Sequence, residues 1–229
     1  MHDLKDAYWE RVAGAAGIAS VVLSALGTFI VGTPPAADAT MEKIRAYYGH
    51  HRTELLVQML LLALGAVALV AFVGGLRSYL RRQGDSGHLS GTAFGGGITV
   101  AIMVLVGLFL EIGLVYRVGA TADDALLRVL FDALTTGAVF FGFPIAIFVG
   151  AASLAGRQSG AMSKRVVWIG VLAVAGNLAA ASQLFVNSGP WAPGGSATFI
   201  PFALLVVWEV AVAGTMISQS KSEPVQADI

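Results

Sequence analysis

Two glutamates, Glu111 and Glu209, and one aspartate, Asp132, sit inside otherwise apolar stretches of a 229-residue chain. At a bilayer centre such a charge costs about 2.5–3.5 kcal/mol on insertion scales, and it persists mainly beside a partner, water or a ligand. Gln58, Asn177 and Gln183 bring amides to comparable stretches. An amide donates to either protonation state of a carboxyl, so Asn177 is expected to meet Glu209. Together the six side chains read as the lining of a polar cavity for a small or lipidic ligand. The competing reading gives each group a local partner: Asp132 with Arg128 four residues earlier, Glu111 with Arg117, and Asn177 with a backbone carbonyl.

Other chemistry finds less support. His50 and Glu54 lie four apart, on one helical face, and form the only metal-like pair, but the sequence offers them no third ligand. An interfacial histidine pair, His50 and His51, beside Tyr47 and Tyr48 is the stronger reading. The chain has no cysteine, which excludes disulfides, thiolate metal sites and iron–sulfur clusters. Every histidine falls outside the apolar stretches, against intramembrane haem ligation and against a Ser–His nucleophile, and no cofactor is expected. Gly95-Gly96-Gly97 has neither the preceding strand nor the Gly-Lys-Ser/Thr ending of a phosphate loop, so close helix packing through Gly91 and Gly95 is the better account. Fourteen basic and fourteen acidic residues cancel, which leaves no clustered basic surplus for nucleic acid.

The elements that must position these groups follow from composition. The chain is 56% hydrophobic and only 12% charged, with mean hydropathy +0.77. Six apolar runs, at about 12–32, 54–76, 94–116, 127–152, 165–186 and 199–218, are long enough to cross a hydrocarbon core of roughly 30 Å. Continuous apolar runs without alternation select helices, because backbone groups must be paired within lipid. The expected fold is an all-α polytopic bundle of six transmembrane helices, one domain over 1–218, with a disordered cytoplasmic tail at 219–229. Pro34-Pro35 ends the first span, Pro201 lies in the first turn of the last, and Gly142-Phe143-Pro144 is expected to kink the fourth. Within this frame the polar groups, with Thr28, cluster in the outer and middle depth, and Leu69, Val100, Ile147 and Val171 are expected to seal the inner side.

Orientation follows from the basic residues. With the N-terminus inside, nine Lys/Arg lie on the inner side (Lys5, Arg11, Arg77, Arg81, Arg82, Arg157, Lys164, Arg165, Lys221) and five on the outer (Lys43, Arg45, Arg52, Arg117, Arg128). This predicts a cytoplasmic (inner) membrane protein with both termini cytoplasmic. The first apolar run loosely imitates a secretory signal ending at Ala37-Asp38-Ala39, but its length and the acids Asp3, Asp6 and Glu10 favour a retained helix. After the prolines, Asp38 or Thr40 caps MEKIRAYYGHHR, whose Met41, Ile44, Tyr47 and Tyr48 share a face: a short amphipathic helix on the outer surface, resting on headgroups or covering the bundle. A faint echo pairs SGHLS at 86–90 with SGAMS at 159–163.

WERVAG at the opening of span one, GTPPAAD at its exit, IRAYYGHHRTELL before span two and LRSYLRRQ at its inner end resemble actinobacterial six-span integral membrane proteins of unknown function. The resemblance covers about the whole chain and implies architecture, with no catalytic residues to carry over. The expected partners are the lipid bilayer and a small-molecule or lipid ligand. A second reading is a non-catalytic accessory or structural subunit of a membrane complex. A third is an enzyme on lipid-linked substrates, with Glu111 and Asp132 as its carboxylate pair.

Overall fold

A computed structural model describes residues 2–117 and 123–219. The side chains of 2–7 and of Arg117, and all of 220–229, lie outside the described residues; they include Lys5, Lys221 and most of the expected tail. Eight α-helices and three short 3-10 segments make up the regular structure, and no strand occurs among the described residues. The helices are α1 (His2–Ile30), α2 (Met41–His50), α3 (Arg52–Arg82), α4 (His88–Arg117), α5 (Asp124–Gly137), α6 (Gly142–Gln158), α7 (Lys164–Ala180) and α8 (Phe199–Gln219).

Six segments are long and apolar enough to cross a membrane: Tyr8–Ile30, Arg52–Arg82, His88–Tyr116, Asp124–Gln158, Lys164–Phe185 and Ser196–Gln219. They coincide with the six expected runs and extend beyond them mainly in polar end turns. The chain is an all-α polytopic bundle. Gln219, read from sequence as the start of the tail, closes α8 instead and accepts a hydrogen bond from the Tyr79 hydroxyl.

Spans neighbouring in sequence pack side by side, and the last closes on the first: α1 on α3, α3 on α4, α4 on α6, α6 on α7, α7 on α8, and α8 on α1. Short connections favour this ring of antiparallel neighbours. Small residues let the backbones approach; Ala13 of α1 lies where a side chain on Gly75 of α3 would have to go.

Two apolar clusters hold the ring together. In the half nearer the chain termini, Phe72 of α3, Phe148 of α6 and Trp208 of α8 stack edge to face, with centroids 6.5 and 5.2 Å apart, and none is more than 1% exposed. At the opposite end Ile44 and Tyr48 of α2 are buried with Leu55, Leu114, Leu127 and Phe131. The expected amphipathic helix therefore forms, with Thr40 as its N-cap, and packs onto the bundle. Its polar face is tied down as well: Arg45 donates to Asp124 of α5 at 2.9 Å.

Span four is broken as expected, by a different device from a simple kink. After Gly137 the chain tightens into a 3-10 turn over Ala138–Phe141 and resumes α-helix at Gly142. Pro144 lacks the amide that would bond to the Phe140 carbonyl, which loosens the helix there. Span five ends similarly, in a 3-10 segment over Ala181–Phe185. The paired loops at 86–90 and 159–163 start their helices differently: Asp85 accepts from Ser90 in one, and Ser163 is itself the N-cap in the other.

Candidate functional site

The seam at the α2 end of the ring opens into three adjoining cavity lobes. The mouth lobe, about 280 Å³, is lined by Thr28, Tyr47, Tyr48, Gln58, Glu111, Thr135 and Thr198, with Pro34, Pro35, Gly194 and Gly195 at its rim. A deep lobe, about 180 Å³, shares Thr28 and Leu62 with the mouth and reaches Ser20, Ser24 and Glu209. A side lobe, about 200 Å³, shares Thr135, Ala138 and Thr198 with the mouth and reaches Asn177 and Gln183. Phe141, Ile145 and Phe202 border both inner lobes. One turn beyond Leu69 and Ile145, the Phe72–Phe148–Trp208 cluster closes the floor.

Local structure explains each placement. Ser20, Ser24 and Thr28 recur every four residues, so they line one face of α1, and Thr28 holds its rotamer by donating to the Ser24 carbonyl at 2.7 Å. Glu209 is 4% exposed, Ser20 lines the same deep lobe, and Glu209 Oε1 has no hydrogen-bond partner. Gln183 is 1% exposed, with Nε2 also unpartnered. A buried polar atom without a partner is uncommon, because leaving one unmade forfeits about 1–3 kcal/mol.

Five of the six sequence-derived lining residues thus border the lobes, though they divide between them. Glu111 and Gln58 are at the mouth, Glu209 in the deep lobe, and Asn177 and Gln183 in the side lobe. Asn177 does not bond to Glu209; it donates to the carbonyls of Ala173 at 2.9 Å and Pro201 at 3.3 Å. Its backbone abuts Gly142, where a Cβ would come within 2.4 Å of the Asn177 carbonyl oxygen. Asp132 lines none of the lobes. Arg128 donates to it at 3.0 Å and also to the carbonyls of Ala37 and Ala39, so the pair clamps the 33–40 loop onto α5. Glu111 and Asp132 therefore do not share a cavity. Of the expected inner seal, Leu69 and Val100 border the deep lobe, whereas Ile147 and Val171 point outward, half exposed.

At the mouth, burial and then the nearby Glu111 push the Tyr47 hydroxyl up to about 12 and the Tyr48 hydroxyl higher still. Both phenols stay neutral donors across the physiological range. His50 Nδ1 lies 2.8 Å from the Ala46 carbonyl, an ordinary helix-end contact, and no cluster of three metal-ligating side chains occurs among the described residues. Ser20, Ser24, Thr135 and Thr198 were not singled out from sequence; the four-residue spacing of Ser20, Ser24 and Thr28 was the available signal.

The arrangement can admit a molecule between α2 and the 186–195 loop and offer it hydroxyls, amides and two carboxyls among apolar walls. That loop is fastened to the opposite rim by Ala37 N–H donating to the Pro193 carbonyl at 3.3 Å. No family model, curated protein or solved structure matches the chain.

Proposed function

We propose that this multi-pass membrane protein binds or translocates a small or lipidic ligand that enters the three-lobed cavity from the outer side. The carrying observation is adjacency: Thr28 and Leu62 line both the mouth and the lobe of Glu209, a buried carboxyl whose Oε1 has no partner. The basic asymmetry supports both termini lying in the cytoplasm and the mouth facing outward. Native mass spectrometry of protein extracted from its own membranes tests the reading. Parent protein is expected to carry a retained small molecule that Ala66→Phe, which fills the deep lobe, loses. Equal retention by both, or none by either, contradicts it.

One observation favours the accessory-subunit reading. Side chains placed on Gly91 and Gly95 of α4 would meet nothing within 4 Å, so among the described residues no other helix packs closely against this small-residue face. Such a face suits close approach by a helix of another protein.

A further inference from the structure

Among the described residues lining the three lobes none is Lys, Arg or His, and the two ionisable groups other than tyrosine are both carboxyls, Glu111 at the mouth and Glu209 at the base. A phosphate or carboxylate head would find no cation among these described residues to pair with and would meet carboxyls, which offer it no compensating charge. Around Glu209 the deep lobe is otherwise apolar apart from the hydroxyls of Ser20, Ser24 and Thr28. Ser20 lines the same lobe, and Glu209 Oε1 is buried without a donor. The missing complement is a compact N–H donor carried on an apolar body. The geometry points to a lipophilic amine, primary or secondary, whose nitrogen seats on Glu209 Oε1 and whose hydrocarbon part lies against Leu69, Val104 and Phe202.

Several features favour this class over a neutral alcohol. An amine and a carboxyl form a pair that is neutral overall whichever partner holds the proton, so burial needs no counter-ion. Entry passes Glu111 and the neutral phenols Tyr47 and Tyr48, so the described lining of the mouth offers a carboxyl and no cation. A quaternary ammonium, lacking N–H, would leave Oε1 unpaired and bind less well.

This inference rests on the ligand-binding reading above, and its test separates the two. Protein reconstituted in phosphatidylcholine nanodiscs is titrated with decylamine, decyltrimethylammonium, decanol and decanoate, probes of one chain length, and the thermal midpoint is followed. The parent is expected to be stabilised most by decylamine, with an apparent affinity about tenfold or more above decanol, and not at all by decanoate. Glu209→Gln should abolish the amine preference while keeping decanol binding. Glu209→Asp should keep the preference with weaker binding, so the test survives if the Gln variant does not fold. Decanol or decanoate matching decylamine in the parent would overturn the inference while leaving the cavity reading intact. No response to any probe would overturn it too, and if Ala66→Phe also lost no retained molecule, the cavity reading would fall with it.

Discussion

The indole N–H of Trp208 donates to Ser153 Oγ at 3.0 Å, joining α8 to α6 one residue before Glu209. Both side chains are buried, so neither has water as an alternative partner. Ser153→Ala should destabilise the bundle by about 1–3 kcal/mol, the cost of orphaning a buried donor. Trp208→Phe combined with Ser153→Ala should cost less than the sum of the single changes, because the second removes a group already unpaired. Unfolding of the four proteins in mixed micelles gives the cycle. Strict additivity would mean the bond holds nothing.

Glycines separate ring contacts from the open face. A side chain at Gly142 would press on the Asn177 carbonyl oxygen, and one at Gly96 would come within 2.7 Å of the Phe148 amide nitrogen. Neither backbone can retreat cheaply, so Gly142→Ala and Gly96→Ala should lower the thermal midpoint. Gly95→Ala meets nothing, and in isolated protein it should be neutral or stabilise by up to about 1 kcal/mol through helix propensity. If Gly95→Leu leaves the isolated protein folded but disrupts a complex captured from native membranes, the accessory-subunit reading gains direct support; an unchanged complex counts against it.

Asp85 gives the α3–α4 turn a pH dependence of known sign. Burial pushes its carboxyl up, but the Ser90 hydroxyl at 2.6 Å, the Gly87 and Ser90 amides and the nearby His88 outweigh this and hold it below its ordinary 3.8. A lowered folded value means the ionised form stabilises the fold. That contribution is complete above the ordinary value and disappears as pH falls through the lower folded one. Melting curves from neutral to strongly acidic pH should show the parent losing stability across this window and Asp85→Asn losing less. Asp85→Ala should cost about 0.5–2 kcal/mol at neutral pH, as removal of a helix-start acceptor does. Parallel curves for parent and Asn variant would refute the assignment.

Orientation is open to a clean assay in a chain without cysteine. Single cysteines at Ser86 and Ser159 should react with an impermeant thiol reagent only after the cytoplasmic side is exposed, and one at Ala36 from outside in intact cells. The reverse pattern would invert the assigned topology.

Some of this was legible in the sequence because depth is one-dimensional. Counting from the ends of an apolar run gives the level of Glu209, Gln58 or Gln183 along its helix. Direction around a helix is another matter, since it depends on which neighbours the helix packs against. Asn177 and Glu209 therefore looked like partners, yet Asn177 turns to the Pro201 carbonyl across the α7–α8 contact. Ile147 has the right depth for a seal and faces outward, whereas Phe148, one residue on, enters the floor. The Arg128–Asp132 pair was legible because four-residue spacing fixes both depth and face. The Ala138–Phe141 turn was foreshadowed by Pro144, but its 3-10 form arises from packing that a single run of residues does not specify.

Ligand binding at Glu209 requires one open path from the α2 end through the mouth to the deep lobe. Its most direct test is reaction of an impermeant thiol reagent, the permanently charged methanethiosulfonate-ethyltrimethylammonium, applied at the α2 side to single-cysteine variants along that path. Thr28→Cys at the junction and Ser24→Cys in the deep lobe should both react, with Ser24→Cys slowed by Ala66→Phe, whereas Val73→Cys, buried in the core, should not. An unreactive Ser24→Cys beside a reactive Thr28→Cys, or labelling of Ser24→Cys only from the opposite side, would contradict the account.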